Sequence, residues 1–179
     1  MNKIVKLTII LFLGCAIVAG VLGAVNMITE DKIAEQDRIK TAKAYASVLE
    51  ADDYEDVDFD QASFQTIDKI AKAGDVGYVV TTTFSGAQGS ITMAVGVDND
   101  YKCTGISIIS HSETSGLGAK AAAASEYGDW WRGQFVGEGD DVKLTKYGGN
   151  IDSITAATIT SNAVSGAVAE SIRAVEALG

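Results

Sequence analysis

An uncharged apolar run near the N-terminus restricts what this chain can be. No residue from Leu7 to Thr29 carries a charge, and positions 4–27 are dominated by Ile, Leu, Val, Ala and Gly. A helix rises about 1.5 Å per residue and the hydrocarbon core of a bilayer is about 30 Å thick, so this stretch is long enough to cross it. Lys3 and Lys6 precede the run, favouring a cytoplasmic N-terminus and an outward-facing remainder. The rival reading is a cleaved signal peptide, whose apolar core runs only about 7–15 residues. The length therefore favours an uncleaved anchor. Leu13-Gly14-Cys15 faintly suggests lipoprotein processing, but the apolar run continues well past Cys15, so a buried cysteine fits better. Ala16, Gly20 and Ala24 repeat at four-residue intervals, as do Ala19 and Gly23. Such spacing leaves a face small enough for close packing on another helix, and an anchor simply rich in Ala and Gly would show it too.

Beyond the anchor, positions 30–50 are rich in helix formers, with Ile33, Ile39, Ala42, Tyr45, Ala46 and Leu49 roughly one turn apart. This predicts an amphipathic continuation that lifts the following domain off the membrane surface. Positions 51–60 then carry six acidic side chains and no basic one. The spacing lacks the glycine and terminal glutamate of an EF-hand, so a solvated loop is the better reading than a calcium site.

The 179 residues leave room for one further domain of ordinary size. A net charge of −10 leaves no basic surface to neutralise phosphates, which argues against nucleic acid as a partner. One histidine and two cysteines are too few for a protein-only zinc site, and no metal site is assigned. Cys15 and Cys103 lie too far apart in kind and place to suggest a disulfide.

Three strands are expected, at 77–84, 90–97 and 103–110, separated by the turns 85–89 and 98–100, forming an antiparallel meander. A polar, glycine-containing loop follows at 111–118. Positions 119–126 favour helix, and Trp130 and Trp131 head an aromatic cluster that could stack on a planar ligand but fits core packing better. A short strand is expected at 141–146 and a turn at 147–150. Ala163, Val164, Ala167, Val168, Ile172, Val175 and Leu178 follow the helical period, so the chain should close with an amphipathic helix on the sheet, capped by Thr160 or Ser161. The fold class is α+β: a transmembrane helix, then an antiparallel sheet flanked by helices.

No Walker loop, dinucleotide fingerprint or catalytic triad is present, and no catalytic residue is assigned. The most suggestive stretch is Asp152-Ser153-Ile154-Thr155-Ala156-Ala157-Thr158-Ile159-Thr160-Ser161. It sets hydroxyls and very small residues at the entrance of the last helix, where free N–H groups and the positive dipole end suit a phosphate.

Two motifs together carry a family resemblance. Asp152-x-x-Thr155-Ala156-Ala157-Thr158 resembles the flavinylation signature D-x-x-[ST]-[GS]-A-T of the FMN-binding domain family, and His111-Ser-Glu113-Thr114-Ser-Gly116-Leu117-Gly118 resembles its H-x-E-T-P-G-L-G loop. With one anchor and this length, the chain is similar to the G subunits of Rnf electron-transport complexes and, more distantly, to the C subunits of sodium-pumping NADH:quinone reductases. Together the two readings divide the chain into residues 1–29 as N-terminus and anchor, 30–75 as amphipathic helix and acidic connector, and 76–179 as an FMN-binding domain; the resemblance covers the anchor and roughly Gly77 onward, with little from 52–74. It implies FMN joined by a phosphoester to Thr158, with Asp152, Thr155, Ala156, Ala157, Ile159, Thr160 and Ser161 around the phosphate. Asp152 would serve recognition by a separate flavin transferase or hold the metal and pyrophosphate of FAD, and Thr155 and Thr160 would donate hydrogen bonds to phosphate oxygens. Glu113, Thr114, Gly116, Leu117 and Gly118 would lie beside the flavin ring. Implied partners are the other membrane subunits of an Rnf complex and the transferase, and the implied location is the cell membrane, single-pass, with the flavin domain outside the cytoplasm. A free-standing extracytoplasmic reductase system and a flavin-free assembly subunit are the alternatives. Ala156 departs from the usual glycine or serine, and Ser115 from the usual proline.

Overall fold

The computed structural model describes residues 3–179. They divide into two compact units, one up to Lys40 and one from Thr41 to Gly179. Helix α1, Lys3–Val48, forms the first unit and continues into the second. Its apolar part is long enough to cross a membrane, and Leu11, Phe12 and Leu22 all point outward. The helix does continue past the anchor, but Ile33 and Ile39 are exposed and only Ala44, Tyr45 and Val48 are buried. Within the second unit, Ala44, Tyr45 and Val48 of α1 pack on the sheet.

The second unit is built on a five-stranded antiparallel meander: β1 Glu55–Val57, β2 Ile67–Ala73, β3 Gly77–Ser85, β4 Ser90–Asp98 and β5 Cys103–His111, in that spatial order. The three expected strands form, each one residue longer. Strands β1 and β2 were not expected. In β2 a register shift between Ile67 and Lys69 interrupts the alternation, and Asp, Lys and Ala are poor strand formers. Strand β1 lies inside the acidic segment, which is therefore not wholly loop; Lys69 meets Asp56 at 2.7 Å across the β1–β2 pair.

The last turns of α1 cover one face of the sheet, setting Ala44, Tyr45 and Val48 on Ala71, Ala73, Val79 and Ala94. A Cβ at Gly96 would collide with the Val48 carbonyl, which accepts a hydrogen bond from Thr104 Oγ1 at 2.6 Å. Tyr54 OH donates to the Leu49 carbonyl at 2.7 Å. Together these bonds satisfy carbonyls that the helix end leaves without a partner.

The other face carries the main core. Helix α3, Thr158–Glu176, sets Val164, Val168 and Ile172 over Ile70, Val80, Met93 and Val95, and Trp131, Phe135, Leu144, Ile151 and Ile154 close one end. Trp131 lies edge-on to Phe135 with centroids 5.2 Å apart, so it is a core residue, whereas Trp130 is exposed.

Two expected elements differ. Positions 119–126 do not form one helix: a 3-10 turn, Gly118–Ala121, is followed by helix α2 at Glu126–Gly133, with Ser125 Oγ accepting from Gly128 N at 3.2 Å. Arg132 Nη1 donates to the carbonyls of Ala121 at 2.6 Å and Ala123 at 3.2 Å, diverting them from a helical ladder. The expected strand at 141–146 is only one parallel bridge, Leu144 to Ile151, followed by a 3-10 turn at Thr145–Tyr147.

Candidate functional site

The entrance to α3 is fixed from two sides. Trp131 Nε1 donates to the Asp152 carbonyl and Asp152 N donates to Gln134 Oε1, each at 2.8 Å, so α2 and the residue after it hold the backbone at 152 in place. The exposed Asp152 carboxylate accepts from Thr145 Oγ1 at 3.3 Å. Downstream, Ala157 N donates to the Ile154 carbonyl at 2.9 Å, closing a turn whose third residue is Ala156. That position has φ +61°, where a Cβ is strained.

Helix α3 begins at Thr158, earlier than expected, with Ala157 as N-cap and no side-chain cap. The expected caps act otherwise. Ser161 Oγ accepts from Ile154 N at 2.9 Å and donates to the Ala157 carbonyl at 3.0 Å, while Thr160 Oγ1 donates to Glu113 Oε2 at 2.5 Å. Both lie inside the first turn and are buried, so neither can occupy the half-in position a cap needs.

Each helical residue advances about 100°, so Thr158 stands about 200° from Thr160. With Thr160 turned inward to Glu113, Thr158 is turned away from the core and is half-buried. Among the described residues its hydroxyl has no hydrogen-bond partner, in contrast to those of Thr160 and Ser161. Thr155, Ala156 and Ile159 beside it are exposed, and Ala157 is buried. The entrance of α3 thus combines a first turn without a side-chain cap and, at Thr158, a hydroxyl without a partner among the described residues.

The second motif meets the first through Glu113. Leu117 N donates to the Thr114 carbonyl at 3.2 Å, closing a turn with Gly116 at φ +77° in third position and Ser115 in second. Thr114, Gly116 and Leu117 are exposed; Glu113 and Gly118 are buried. Gln88 N donates to Glu113 Oε1 at 3.1 Å, and Glu113 N donates to His111 Nδ1 at 3.2 Å. A Cβ at Gly86 or at Gly118 would collide with the Glu113 carboxylate, so both glycines are required by close approach. Burial pushes the Glu113 carboxyl up, but hydrogen bonds from Thr160 and from the N–H groups of Gln88 and Ala87, with the nearby His111, outweigh it and hold the group below its ordinary value.

The structure thus joins Glu113, Gly118 and Thr160 in one buried knot, keeps the buried Ser161 hydroxyl on Ile154 and Ala157, and leaves Thr155, Ala156 and Ile159 exposed and Thr158 half-buried. Asp152 stands apart from that knot, held through Trp131 and Gln134. Sequence reasoning missed Gln134, Thr145, Gly86 and Gln88. Only Gly86 carried a usable signal, as a glycine in a hairpin turn. The space behind the loop, lined by Ile91, Ile108, His111, Glu113 and Gly118, is too small to admit even a water molecule. No group of three or more metal-ligating side chains occurs among the described residues.

Ala156→Gly should stabilise the protein by about 1 kcal/mol by relieving the left-handed alanine, read from urea unfolding of the detergent-solubilised chain. Ser115→Pro should add about 0.4–1 kcal/mol, since proline suits the second position of such a turn and Ser115 N donates no backbone hydrogen bond outside regular elements. The lowered Glu113 carboxyl binds fewer protons when folded than when unfolded. Its stabilisation is therefore complete above the ordinary value of 4.5 and lost as pH falls through the lower folded value. Thr160→Val should accordingly cost about 1.5 kcal/mol near neutral pH, and the gap to wild type should narrow below pH 4.5, as followed by urea midpoints.

Comparison with known proteins bears on the family. Residues 86–173 match the FMN-binding domain model, and residues 1–48 match that of the RnfG N-terminal region. The G subunit of the Na(+)-translocating ferredoxin:NAD(+) oxidoreductase complex of Acetobacterium woodii is 33% identical over 97% of this chain and 92% of its own length. Its counterpart in the proton-translocating ferredoxin:NAD(+) oxidoreductase complex of Clostridium ljungdahlii is 34% identical over the same shares. The G subunit of the ion-translocating oxidoreductase complex of Methanosarcina acetivorans is 41% identical over 57% of this chain, which spans about half of that relative's length. With nearly full-length similarity at this level and both family regions in order, the chain belongs to the family of G subunits of Rnf-type ion-translocating oxidoreductase complexes.

Proposed function

We propose that this chain carries FMN covalently on Thr158 and serves as an electron-transfer subunit of a membrane-bound ion-translocating ferredoxin:NAD oxidoreductase complex. The observation that carries the reading is the contrast among hydroxyls at the α3 entrance: Thr160 and Ser161 are buried and engaged, while Thr158 is outward and free.

In the attachment step a separate flavin transferase supplies FAD. The Thr158 oxygen forms a bond to the FMN phosphorus, the pyrophosphate bond breaks, AMP leaves and the hydroxyl proton passes to a base of the transferase. Asp152, exposed and backbone-anchored by Trp131 and Gln134, is placed to meet the transferase. The N–H groups of Thr158, Ile159 and Thr160 at the start of α3 would hold the phosphate, and the helix dipole would stabilise its charge. Bound FMN supplies reversible electron transfer. Thr155 adds an exposed hydroxyl, whereas Thr160 acts through Glu113. The loop from Glu113 to Gly118 presents Thr114, Gly116 and Leu117 at the surface, beside the ring.

The N-terminal helix anchors the chain, with Lys3 and Lys6 on the cytoplasmic side and the flavin domain outside, where other membrane subunits of the complex are its redox partners. Co-expression with a flavin transferase should give in-gel flavin fluorescence that survives denaturation. The Thr158→Ala variant should fall to background while Thr155→Ala keeps its signal. A dark wild-type band would contradict the reading, and fluorescence surviving in Thr158→Ala would move the attachment point.

A further inference from the structure

The hydrogen bond between Thr160 and Glu113 joins two motifs 47 residues apart in the chain. Its partners are enclosed. Glu113 and Thr160 are 8% and 1% exposed, and glycines 86 and 118 press on the carboxylate so closely that neither site admits a side chain. Glu113 is also fixed from behind, by Gln88 N on one carboxylate oxygen and by its own N–H on His111 Nδ1. The carboxylate thus cannot follow Thr160 if α3 turns; Thr160 must stay with the carboxylate.

That asymmetry matters because the Thr158 side chain is not itself anchored among the described residues. Its hydroxyl has no partner among the described residues, the helix has no side-chain cap, and the turn leading in contains a strained left-handed alanine at 156. Fraying of the first turn is the local motion such an uncapped end favours. Among the described residues Thr160 opposes it through Glu113, whereas the Ser161 hydroxyl bonds Ile154 N and the Ala157 carbonyl, inside the segment that would move with it.

We infer that Glu113 is a positioning residue for flavin attachment: through Thr160 it pins the first turn of α3 to the sheet and so fixes the direction in which the Thr158 hydroxyl is offered. This rests on Thr158 being the flavin acceptor. Glu113 touches neither the hydroxyl nor, in the attachment step, the phosphorus; it acts by keeping the first turn of α3 wound in line with the helix body, whose rotation the core packing sets, so that the hydroxyl stays within the narrow range an in-line displacement needs.

The test uses the full-length chain in detergent, with two independent readouts. Amide hydrogen exchange on the flavin-free protein compares Ala157 and Ser161, whose N–H groups close the entrance, with Val168 and Ile172 in the helix middle. Thr160→Val, which keeps the shape and removes the hydroxyl, should speed exchange at Ala157 and Ser161 on the order of tenfold while leaving Val168 and Ile172 within about twofold. The initial rate of flavin attachment at limiting transferase should fall by a similar factor, and Thr160→Ser, which restores the hydroxyl, should recover most of it. Glu113→Gln should slow attachment as well, with Thr160→Val adding little on top of it, because both remove one link. Unchanged exchange at Ala157 and Ser161 in Thr160→Val overturns the tether, as does an attachment rate within about twofold of wild type. Wild-type protein that accepts no flavin, with exchange responding as expected, overturns the Thr158 assignment and with it the role in attachment, leaving the pin as a structural link alone.

Discussion

The packing of α3 on the β-meander is the interaction on which the remaining structure depends. Val164, Val168 and Ile172 are fully buried against the sheet, and each such side chain contributes about 1.5–3 kcal/mol. That burial fixes the rotation of the helix about its own axis. Once the apolar stripe faces the sheet, the helical period sends Thr160 and Ser161 inward and Thr158 outward. The chemistry at the entrance follows from core packing one to four turns downstream.

Around that helix the protein stacks two kinds of close backbone approach. On one face Gly96 lets the last turn of α1 lie on the sheet, where Thr104 and Tyr54 satisfy its terminal carbonyls. On the other, Gly86 and Gly118 let the hairpin and the loop after β5 close on the Glu113 carboxylate. A buried carboxylate is costly unless every oxygen is satisfied, and here donors come from α3 and from the β3–β4 hairpin. The site is therefore rigid on its inner side. On its outer side Thr155, Ala156 and Ile159 are exposed and Thr158 is half-buried.

Much of this was legible in the sequence. Strands β3, β4 and β5 announced themselves because their residues are β-branched and bounded by glycine and Asp-Asn-Asp turns, and α3 by its helical apolar period. Strand β2 was hidden because a bulge breaks its alternation, and the alanines at 119–124 misled because Arg132 draws off two of their carbonyls, a tertiary effect that propensity does not encode. At the candidate site, hydroxyl composition singled out a segment but could not rank its members. Thr160 and Ser161 read as caps until the position of Glu113 and the turn at Ile154 showed where their hydroxyls go. The two departures from the family pattern, Ser115 and Ala156, occupy neighbouring places in two turns of the same kind: one precedes a left-handed glycine, the other is itself the left-handed residue.

The central claim is that one hydroxyl, that of Thr158, bears the cofactor. Peptide mass spectrometry of the chain purified from membranes that also hold its flavin transferase tests it most directly. The expected result is a peptide spanning Asp152 to Ser161 that is heavier by one FMN less one water, with fragmentation placing the added mass on Thr158. An unmodified peptide in protein that nevertheless retains flavin, or the same added mass on Thr155 or Thr160, would contradict it.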